Sequence, residues 1–194
     1  MFKHWFIAFS AIMIFVACGQ PPQTRYFTLD YPLTPKSPLS PLPLFIQRFD
    51  AGPMLDQDCL LYKTSPYEIR RDPYRRWAQS PQELLTENIK LFFKNSGYFQ
   101  VTERIPMDRE AYELFGRILH FEEIIEAGRR SAYVAMWFEA GHVGRRQVLL
   151  SQVIEKRAPI AGNQPEDIVR AMSEATSAVF HELAQALEQA LPRD

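Results

Sequence analysis

Arginine and aromatic side chains are concentrated in one short run, RRDPYRRWAQSPQELL, which begins at Arg70. Arginine beside tyrosine and tryptophan is typical of the energetically dominant part of a protein–protein interface. We therefore take Tyr74, Arg75, Arg76 and Trp77 as a candidate partner-binding site. The alternative is a solvated basic loop with Trp77 packed in the core, since tryptophan is usually largely buried.

The histidines and carboxylates have no spacing that is typical of a catalytic site. The sequence contains no G-x-S-x-G, no phosphate-binding glycine loop and no H-E-x-x-H. Glu122 and Glu123 are adjacent on a predicted strand and would point to opposite faces, so they cannot act on one substrate. We interpret His120, His142 and His181 as structural or solvated residues. The sequence therefore predicts neither an enzyme nor a bound cofactor or metal.

A single cysteine ends a short apolar run near the start of the chain, in the sequence IFVACGQPP. The run from Trp5 to Ala17 follows Lys3 and is shorter than the ~20 residues that span a membrane, so residues 1–17 are predicted to be a signal peptide. The residues before Cys18 resemble the lipobox of bacterial lipoproteins, which implies cleavage before this cysteine and its acylation. Acyl chains would anchor the protein, since each buried CH₂ contributes ~0.8 kcal/mol. The alternative is a buried core cysteine.

The composition fits one globular domain and argues against nucleic acid as a partner. The 194 residues include 22 Lys and Arg against 23 Asp and Glu, which gives a net charge of −1 and no basic excess. Once Cys18 is acylated, Cys59 is the remaining thiol and cannot form an intrachain disulfide. Because Cys59 has no His or Cys neighbours at ligand spacing, we interpret it as a small apolar residue at the start of a strand.

Prolines dominate the segment between Cys18 and the first predicted strand. They recur from Pro21 to Pro43, and such a segment favours extended polyproline II geometry. We therefore predict that residues 18–43 are a lipidated cysteine with a proline-rich tether, and that residues 44–194 form one domain. Within the tether, the run RYFTLDYPL alternates in character and predicts a short strand or a segment held on the domain surface.

Two amphipathic helices and several strands are predicted in the domain. Ser80 is typical of a helix start and Gly97 of a helix end, and Pro165 and Pro192 bound a second, longer helix. The first long strand, YELFGRILHFEEIIEA, is apolar on both faces, so it is either covered on both sides or meets a partner. Predicted strands cover residues 42–50, two short segments divided at Ser65-Pro66, 98–105, and a meander over 112–127, 131–141 and 146–159.

The order of these elements resembles that of the ABC-type transport auxiliary lipoprotein family. The resemblance implies an α/β fold, in which two main helices pack on a mixed sheet with a long antiparallel meander. The resemblance rests on the lipobox, the Tyr-Phe-Thr-Leu start, the run YRRWAQSPQELLTENIKLFF and a final alanine-rich amphipathic helix. It extends over nearly the whole chain after the signal peptide.

The resemblance implies a non-enzymatic role in lipid transport between two membranes. Members accompany systems that contain a mammalian cell entry (MCE) domain protein, a permease and an ATPase. The implied role is to dock or assemble the periplasmic substrate-carrying component at the outer membrane. Location at the outer membrane is also favoured by Gly19 after Cys18, according to the sorting rule of Gram-negative lipoproteins. A homo-oligomeric ring would suit a tubular partner. The alternative function is a carrier that holds lipid in its own apolar cavity, which Phe-rich strands would line.

Overall fold

The computed structural model describes residues 22–33, 40, 42–105, 110–145 and 147–191. The predicted signal peptide, Cys18 and Pro192 lie outside these residues. The helices are α1 (Pro81–Ser96) and α2 (Pro165–Ala190), and a 3₁₀ turn covers Val143–Arg145. The strands are β1 (Arg25–Phe27), β2 (Leu44–Ile46), β3 (Asp50–Ala51), β4 (Cys59–Ser65), β5 (Glu68–Trp77), β6 (Val101–Thr102), β7 (Tyr112–Glu126), β8 (Arg129–His142) and β9 (Gln147–Pro159).

The three long strands form the antiparallel meander that the sequence predicts. β7 pairs with β8 over the full length of both strands, and β8 pairs with β9. The turn between β7 and β8 consists of Ala127 and Gly128, whose φ angles are 49° and 75°. A tight hairpin turn of this kind requires positive φ at both central positions, which glycine adopts without steric cost.

The second edge of β7 is shared by three short strands in turn. β2 pairs with residues 112–114 of β7, β3 with residues 117–118 and β4 with residues 122–124, all in parallel. The sheet then continues outward, because β5 pairs antiparallel with β4, β1 pairs parallel with β5 and β6 pairs parallel with β2. The sheet is therefore mixed and centred on β7, which confirms the predicted fold class.

Helix α1 begins and ends where the sequence predicts. The hydroxyl of Ser80 accepts a hydrogen bond from the Glu83 amide at 3.3 Å, and Pro81 occupies the first turn. Gly97 ends the helix in the left-handed conformation, with φ of 76°. The cap satisfies one of the amides that have no partner within the first turn. Ser80 therefore fixes the start of α1.

Helix α2 has the apolar stripe that its sequence predicts. It starts at Pro165, and the carboxylate of Asp167 accepts a hydrogen bond from the Gln164 amide at 3.0 Å. Such a bond caps the helix start and places negative charge at its positive end. The apolar periodicity of the sequence places six residues on one face of this helix, and each is at most 1% exposed: Ile168, Met172, Ala175, Val179, Leu183 and Leu187.

Both helices pack on one face of the sheet and contact each other. The rings of Phe92 in α1 and Phe180 in α2 lie 5.7 Å apart between centroids. On the sheet, the ring of Phe49 lies 5.9 Å from that of Phe138. Gly116 makes room for Phe49, since a Cβ at this position would lie 2.5 Å from the ring. The core therefore occupies the layer between the helices and the sheet.

The first part of the chain differs from the predicted boundaries. The predicted strand over residues 42–50 is divided into β2 and β3, and Phe49 between them is turned into the core. Further upstream, β1 pairs with the end of β5, Leu29 is buried, and the Tyr31 hydroxyl donates to the Asn88 carbonyl at 3.3 Å. The run RYFTLDYPL thus contains the short strand that its sequence predicts, and its contacts with the domain begin near residue 25.

Candidate functional site

The sheet face opposite the helices carries exposed apolar side chains. Side chains of neighbouring residues alternate between the two faces of a sheet, so every long strand contributes to this outer face. Phe115 and Leu119 of β7 are 36% and 39% exposed, and Val148 and Val153 of β9 are 57% and 53% exposed. Grouped apolar side chains that remain exposed are typical of an interaction surface.

An arginine lies among these apolar residues. We call the group the outer-face patch; it consists of Phe115, Arg117, Leu119, Trp137 and Val153. The register places Arg117 opposite Trp137, and Trp137 opposite Val153, on three neighbouring strands. Nε of Arg117 lies 3.4 Å from Oδ2 of Asp50, and more than half of each side chain is exposed. The patch therefore has the arginine-and-aromatic composition of a protein interface.

A register shift in β7 separates the outer-face patch from a polar cluster. The pairing with β8 slips between Ile118 and His120, at Leu119. An extra residue of this kind reverses which side chains face the core. Beyond the shift, Phe121 packs in the core, whereas His120 and Glu122 lie on the outer face.

Glu122 is the buried centre of this polar cluster. Its carboxylate lies 2.7 Å from Nδ1 of His120 and 3.2 Å from Nζ of Lys63, and it accepts a hydrogen bond from the Phe121 amide at 2.7 Å. A buried carboxylate needs such partners, because an unpaired charge away from water is costly. We therefore infer that His120 has a structural role, as the sequence predicts, as a hydrogen-bond partner of the buried Glu122 carboxylate.

Tyr133 extends the polar cluster across β8 and β9. Its hydroxyl donates to the Glu155 carboxylate at 2.6 Å, and its ring lies 4.8 Å from that of His120. The guanidinium of Arg157 lies 4.6 Å from the centre of the same ring. Burial, followed by the hydrogen bond to Glu155, raises the pKa of Tyr133 to about 12. The phenol therefore stays protonated near neutral pH and acts as a donor, not as a base.

Glu122 and Glu123 hold separate ion pairs on opposite faces of β7, as their positions on a strand predict. The Glu123 carboxylate accepts a hydrogen bond from Nε of Arg130 at 2.5 Å. Arg130 also donates to the Gly162 carbonyl at 2.8 Å. This contact joins the β7–β8 hairpin to the loop that precedes α2. The two carboxylates therefore cannot serve one substrate.

The sequence-predicted site lies at the end of β5, immediately before α1. The run therefore continues a strand, which the basic-loop alternative did not foresee. Tyr74 is exposed, whereas Trp77 is 1% exposed and packs 5.0 Å from Phe121 between ring centroids. The burial of Trp77 supports the core alternative for this residue. We call Tyr74, Arg75, Arg76 and Trp77 the β5 cluster; the first three of these residues form its surface.

Both arginines of the β5 cluster are engaged with carboxylates. Nε of Arg75 donates to Asp72 at 2.6 Å, and Nη1 of Arg76 donates to Asp58 at 2.8 Å. Asp72 also accepts from the backbone amides of Tyr74 and Arg75. Burial acts to raise the pKa of Asp72, but these hydrogen bonds and the Arg75 charge outweigh it and lower the pKa. The two pairs border an open cleft of about 620 Å³.

Comparison with known families identifies the kind of protein to which this fold belongs. The sequence model of the ABC-type transport auxiliary lipoprotein component matches residues 27–193, which is most of the chain. The chain belongs to this family. It is thus an auxiliary lipoprotein of ABC-type transport, and the family is not an enzyme class.

Solved structures similar to the auxiliary lipoprotein share its fold. A protein from Xanthomonas campestris aligns with a TM-score of 0.74 and 19% identity over 86% of this chain and 96% of its own. A hypothetical protein from Chlamydia trachomatis aligns with a TM-score of 0.54 and 9% identity over 78% of this chain and 98% of its own. At such identities the likeness concerns the fold alone. None of the curated proteins compared matches the chain.

The other two histidines among the described residues of the auxiliary lipoprotein also have structural surroundings. His142 is buried, and its Nε2 lies 3.5 Å from Glu110. Nδ1 of His181 lies 2.8 Å from the Ser177 carbonyl, and its ring packs 4.9 Å from that of Phe92. In the part of the chain that the structure describes, no group of three or more His, Cys, Asp or Glu could hold a metal ion.

Cys59 of the auxiliary lipoprotein is a buried free thiol at the first position of β4, which confirms its interpretation as a small apolar residue. Cys18 lies outside the described residues. Within residues 22–191, where described, no helix is long and apolar enough to cross a membrane.

Sequence reasoning missed the outer-face patch. Arg117 and Trp137 are far apart in the sequence, and they become neighbours only through the β7–β8 hairpin. The signal that was available is the apolar character of β7 on both faces, which predicted either a cover or a partner for this strand. Phe115 and Leu119 are the residues responsible for that signal, and both are exposed.

Proposed function

We propose that this chain is a membrane-anchored lipoprotein that docks or assembles the periplasmic substrate-carrying component of an ABC-type intermembrane lipid transport system. That component is an MCE-domain protein that works with a permease and an ATPase. Acylated Cys18 holds the domain at the periplasmic face of the outer membrane. Membership of the family supports the transport role, and the lipobox supports the anchor.

The outer-face patch is the observation that carries the docking role. It combines an arginine, a tryptophan and three exposed apolar side chains on one face of the sheet. Burying such a surface against a protein removes apolar area from water, at roughly 25 cal/mol per Å². The β5 cluster is the second candidate contact, since Tyr74 is exposed while its arginines are already paired.

The packing between the helices and the sheet favours docking over the carrier alternative. Phe92, Phe93, Phe138 and Phe180 fill this layer, and each is at most 1% exposed. A lipid carrier needs an apolar cavity of roughly 300–1,000 Å³ to enclose most of its ligand. The alternative expected strand phenylalanines to line such a cavity, but Phe138 packs against Phe49 and Phe121 packs against Trp77.

The anchor is tested by Cys18→Ser, which removes the acylated thiol. We expect this variant to remain folded and to leave the membrane fraction almost completely. Without the acylated thiol it lacks its anchor, and even a single acyl chain would hold a protein only marginally. The measurement is fractionation of the cell envelope after a high-salt wash. Retention of the variant in the outer-membrane fraction would contradict the lipid anchor.

Docking is tested by binding of the detergent-solubilised lipoprotein to the purified MCE-domain protein of the same transport system. Tyr67→Ala serves as a matched control, since this aromatic residue is 98% exposed in the β4–β5 turn and lies outside both clusters. We expect wild type and control to bind equally. If no complex forms and an apolar mass copurifies with the lipoprotein, the carrier alternative is correct. The native mass of the same sample tests for a ring of copies.

A further inference from the structure

Strand β9 has an edge that no described strand occupies. Among the described residues, β9 pairs with β8 alone, and it is 13 residues long. The unpaired edge of a strand presents amides and carbonyls that readily pair with another chain. A long edge of this kind is therefore expected either to be protected against pairing or to serve as a binding site.

The register identifies the backbone groups that point to this free edge. The Ile160 amide donates to the Arg130 carbonyl at 3.0 Å, just beyond the paired Pro159 and Ser131. In an antiparallel pair, residues that exchange hydrogen bonds alternate with residues that do not. Every second residue before Pro159 therefore directs its amide and carbonyl outward. These residues are Ser151, Val153, Glu155 and Arg157.

The two halves of this edge differ in charge. In the second half, Glu155 binds Tyr133, Lys156 binds Glu182, and Arg157 stacks on Tyr133. Pro159 has no N–H and ends the series of outward amides. The first half, QVLLSQVI, has no charge, proline or glycine. Natural proteins commonly protect their edge strands with charged residues and proline, so the first half lacks this protection.

The uncharged half is continuous with the outer-face patch. The pairing of β9 with β8 shifts near Leu149, so the regular part of the uncharged half covers residues 150–154. Val153 lies within it, is more than half exposed, and is the direct neighbour of Trp137. A strand added beside Val153 would extend the sheet and place its own side chains next to the patch.

We propose that residues 150–154 of β9 accept an extended, uncharged segment of the partner protein as a further strand of the sheet. The proposal rests on the proposed function, since the occupant is a segment of the docked MCE-domain protein. The charges specify the occupant: an acid or base opposite Ser151 or Val153 would meet no opposite charge on β9. Main-chain hydrogen bonds supply affinity, and alternate side chains supply specificity.

The first test is Val153→Pro in the full-length lipoprotein. Proline at this position removes an amide that faces the free edge and leaves the hydrogen bonds to β8 in place. We expect at least tenfold weaker binding of the purified MCE-domain protein. Tyr67→Ala is the control, because this exposed residue lies outside β9 and outside the outer-face patch, and it should bind within about threefold of wild type.

A second variant and a direct readout apply if proline unfolds the domain. Val153→Lys keeps the amide but adds a charge of the kind that protects natural edges, and it should also weaken binding at least tenfold. Hydrogen exchange of peptides that cover residues 150–157 should slow when the MCE-domain protein is added to wild type. Wild-type binding with neither slower exchange nor any effect of the proline and lysine variants would overturn the edge site. Loss of all binding by wild type would instead contradict the docking function.

Discussion

The β5 cluster and the outer-face patch contain the same residue types in different surroundings. In the β5 cluster, Arg75 and Arg76 are paired with carboxylates, and Trp77 beside them is buried. In the outer-face patch, Arg117 lies beside Trp137, is 3.4 Å from its carboxylate partner Asp50, and has more than half of its side chain exposed. Adjacent residues on a strand are sent to opposite faces, whereas distant residues can meet on one face.

This difference has a general lesson for interface motifs. A continuous run such as YRRW cannot present all its side chains on one surface when it forms a strand. A hairpin gathers one residue from each of several strands into a single surface. We therefore expect the outer-face patch to dominate partner binding and Trp77 to dominate stability.

The largest expected effect is the loss of stability in Trp77→Ala. Removing a fully buried tryptophan leaves a cavity, so the free energy of unfolding should fall by about 3–5 kcal/mol. Trp137→Ala is the matched comparison and should cost roughly 1 kcal/mol, as is typical of a partly exposed site. Urea denaturation followed by circular dichroism measures both. Equal losses would mean that the two tryptophans do not differ in burial.

The second effect concerns partner binding. We expect Arg117→Ala to weaken binding of the MCE-domain protein by about 2 kcal/mol, the scale of an arginine hot spot. The double variant Arg75→Ala with Arg76→Ala should weaken it by less than about 1 kcal/mol, because these charges are already neutralised in partly exposed pairs. Isothermal titration calorimetry gives both values. The reverse order would assign the main contact to the β5 cluster.

A smaller effect is expected at the start of α1, directly behind the β5 cluster. Ser80→Ala removes the hydroxyl that caps this helix, so stability should fall by about 0.5–2 kcal/mol. Ser80→Asp is the control, because its side chain can also cap and should retain most of the stability. An unchanged denaturation midpoint in Ser80→Ala would show that the cap does not stabilise the helix.

The smallest effect depends on pH. The pKa of Asp72 is lowered in the folded state, so its contribution to stability is present above the unfolded pKa of about 3.9 and disappears as pH falls through the folded value. Asp72→Asn should therefore cost about 1 kcal/mol near neutral pH and nothing in strong acid. Denaturation midpoints measured across this range test the difference. A loss that is the same at all pH values would contradict a role for the charge.

The local signals in the sequence predicted the elements that they specify directly. Ser80 and Gly97 bound α1, and the positive φ of Gly128 allows the tight hairpin between β7 and β8. The apolar residues of α2 recur with the period of a helix, and they are buried as expected. Each of these features depends on residues within a few positions of one another.

The features that were missed depend on partners far away in the sequence. The short strand predicted in the run RYFTLDYPL is present as β1, but its pairing with the end of β5 is not contained in that run. The division of residues 42–50 follows from Phe49, whose ring needs the space at Gly116. The outer-face patch required both the hairpin register and the shift at Leu119. No local pattern contains this information.

The position of β7 also decides the order in which the domain can fold. β2, β3 and β4 each pair in parallel with β7, across a long intervening stretch of chain. The strands of the β7–β8–β9 meander follow one another directly in the chain, so less loop entropy opposes their pairing. We therefore expect the meander to form before β2, β3 and β4 pair with β7. A fragment that ends before β7 would keep the β4–β5 hairpin and α1 but would have no sheet to complete.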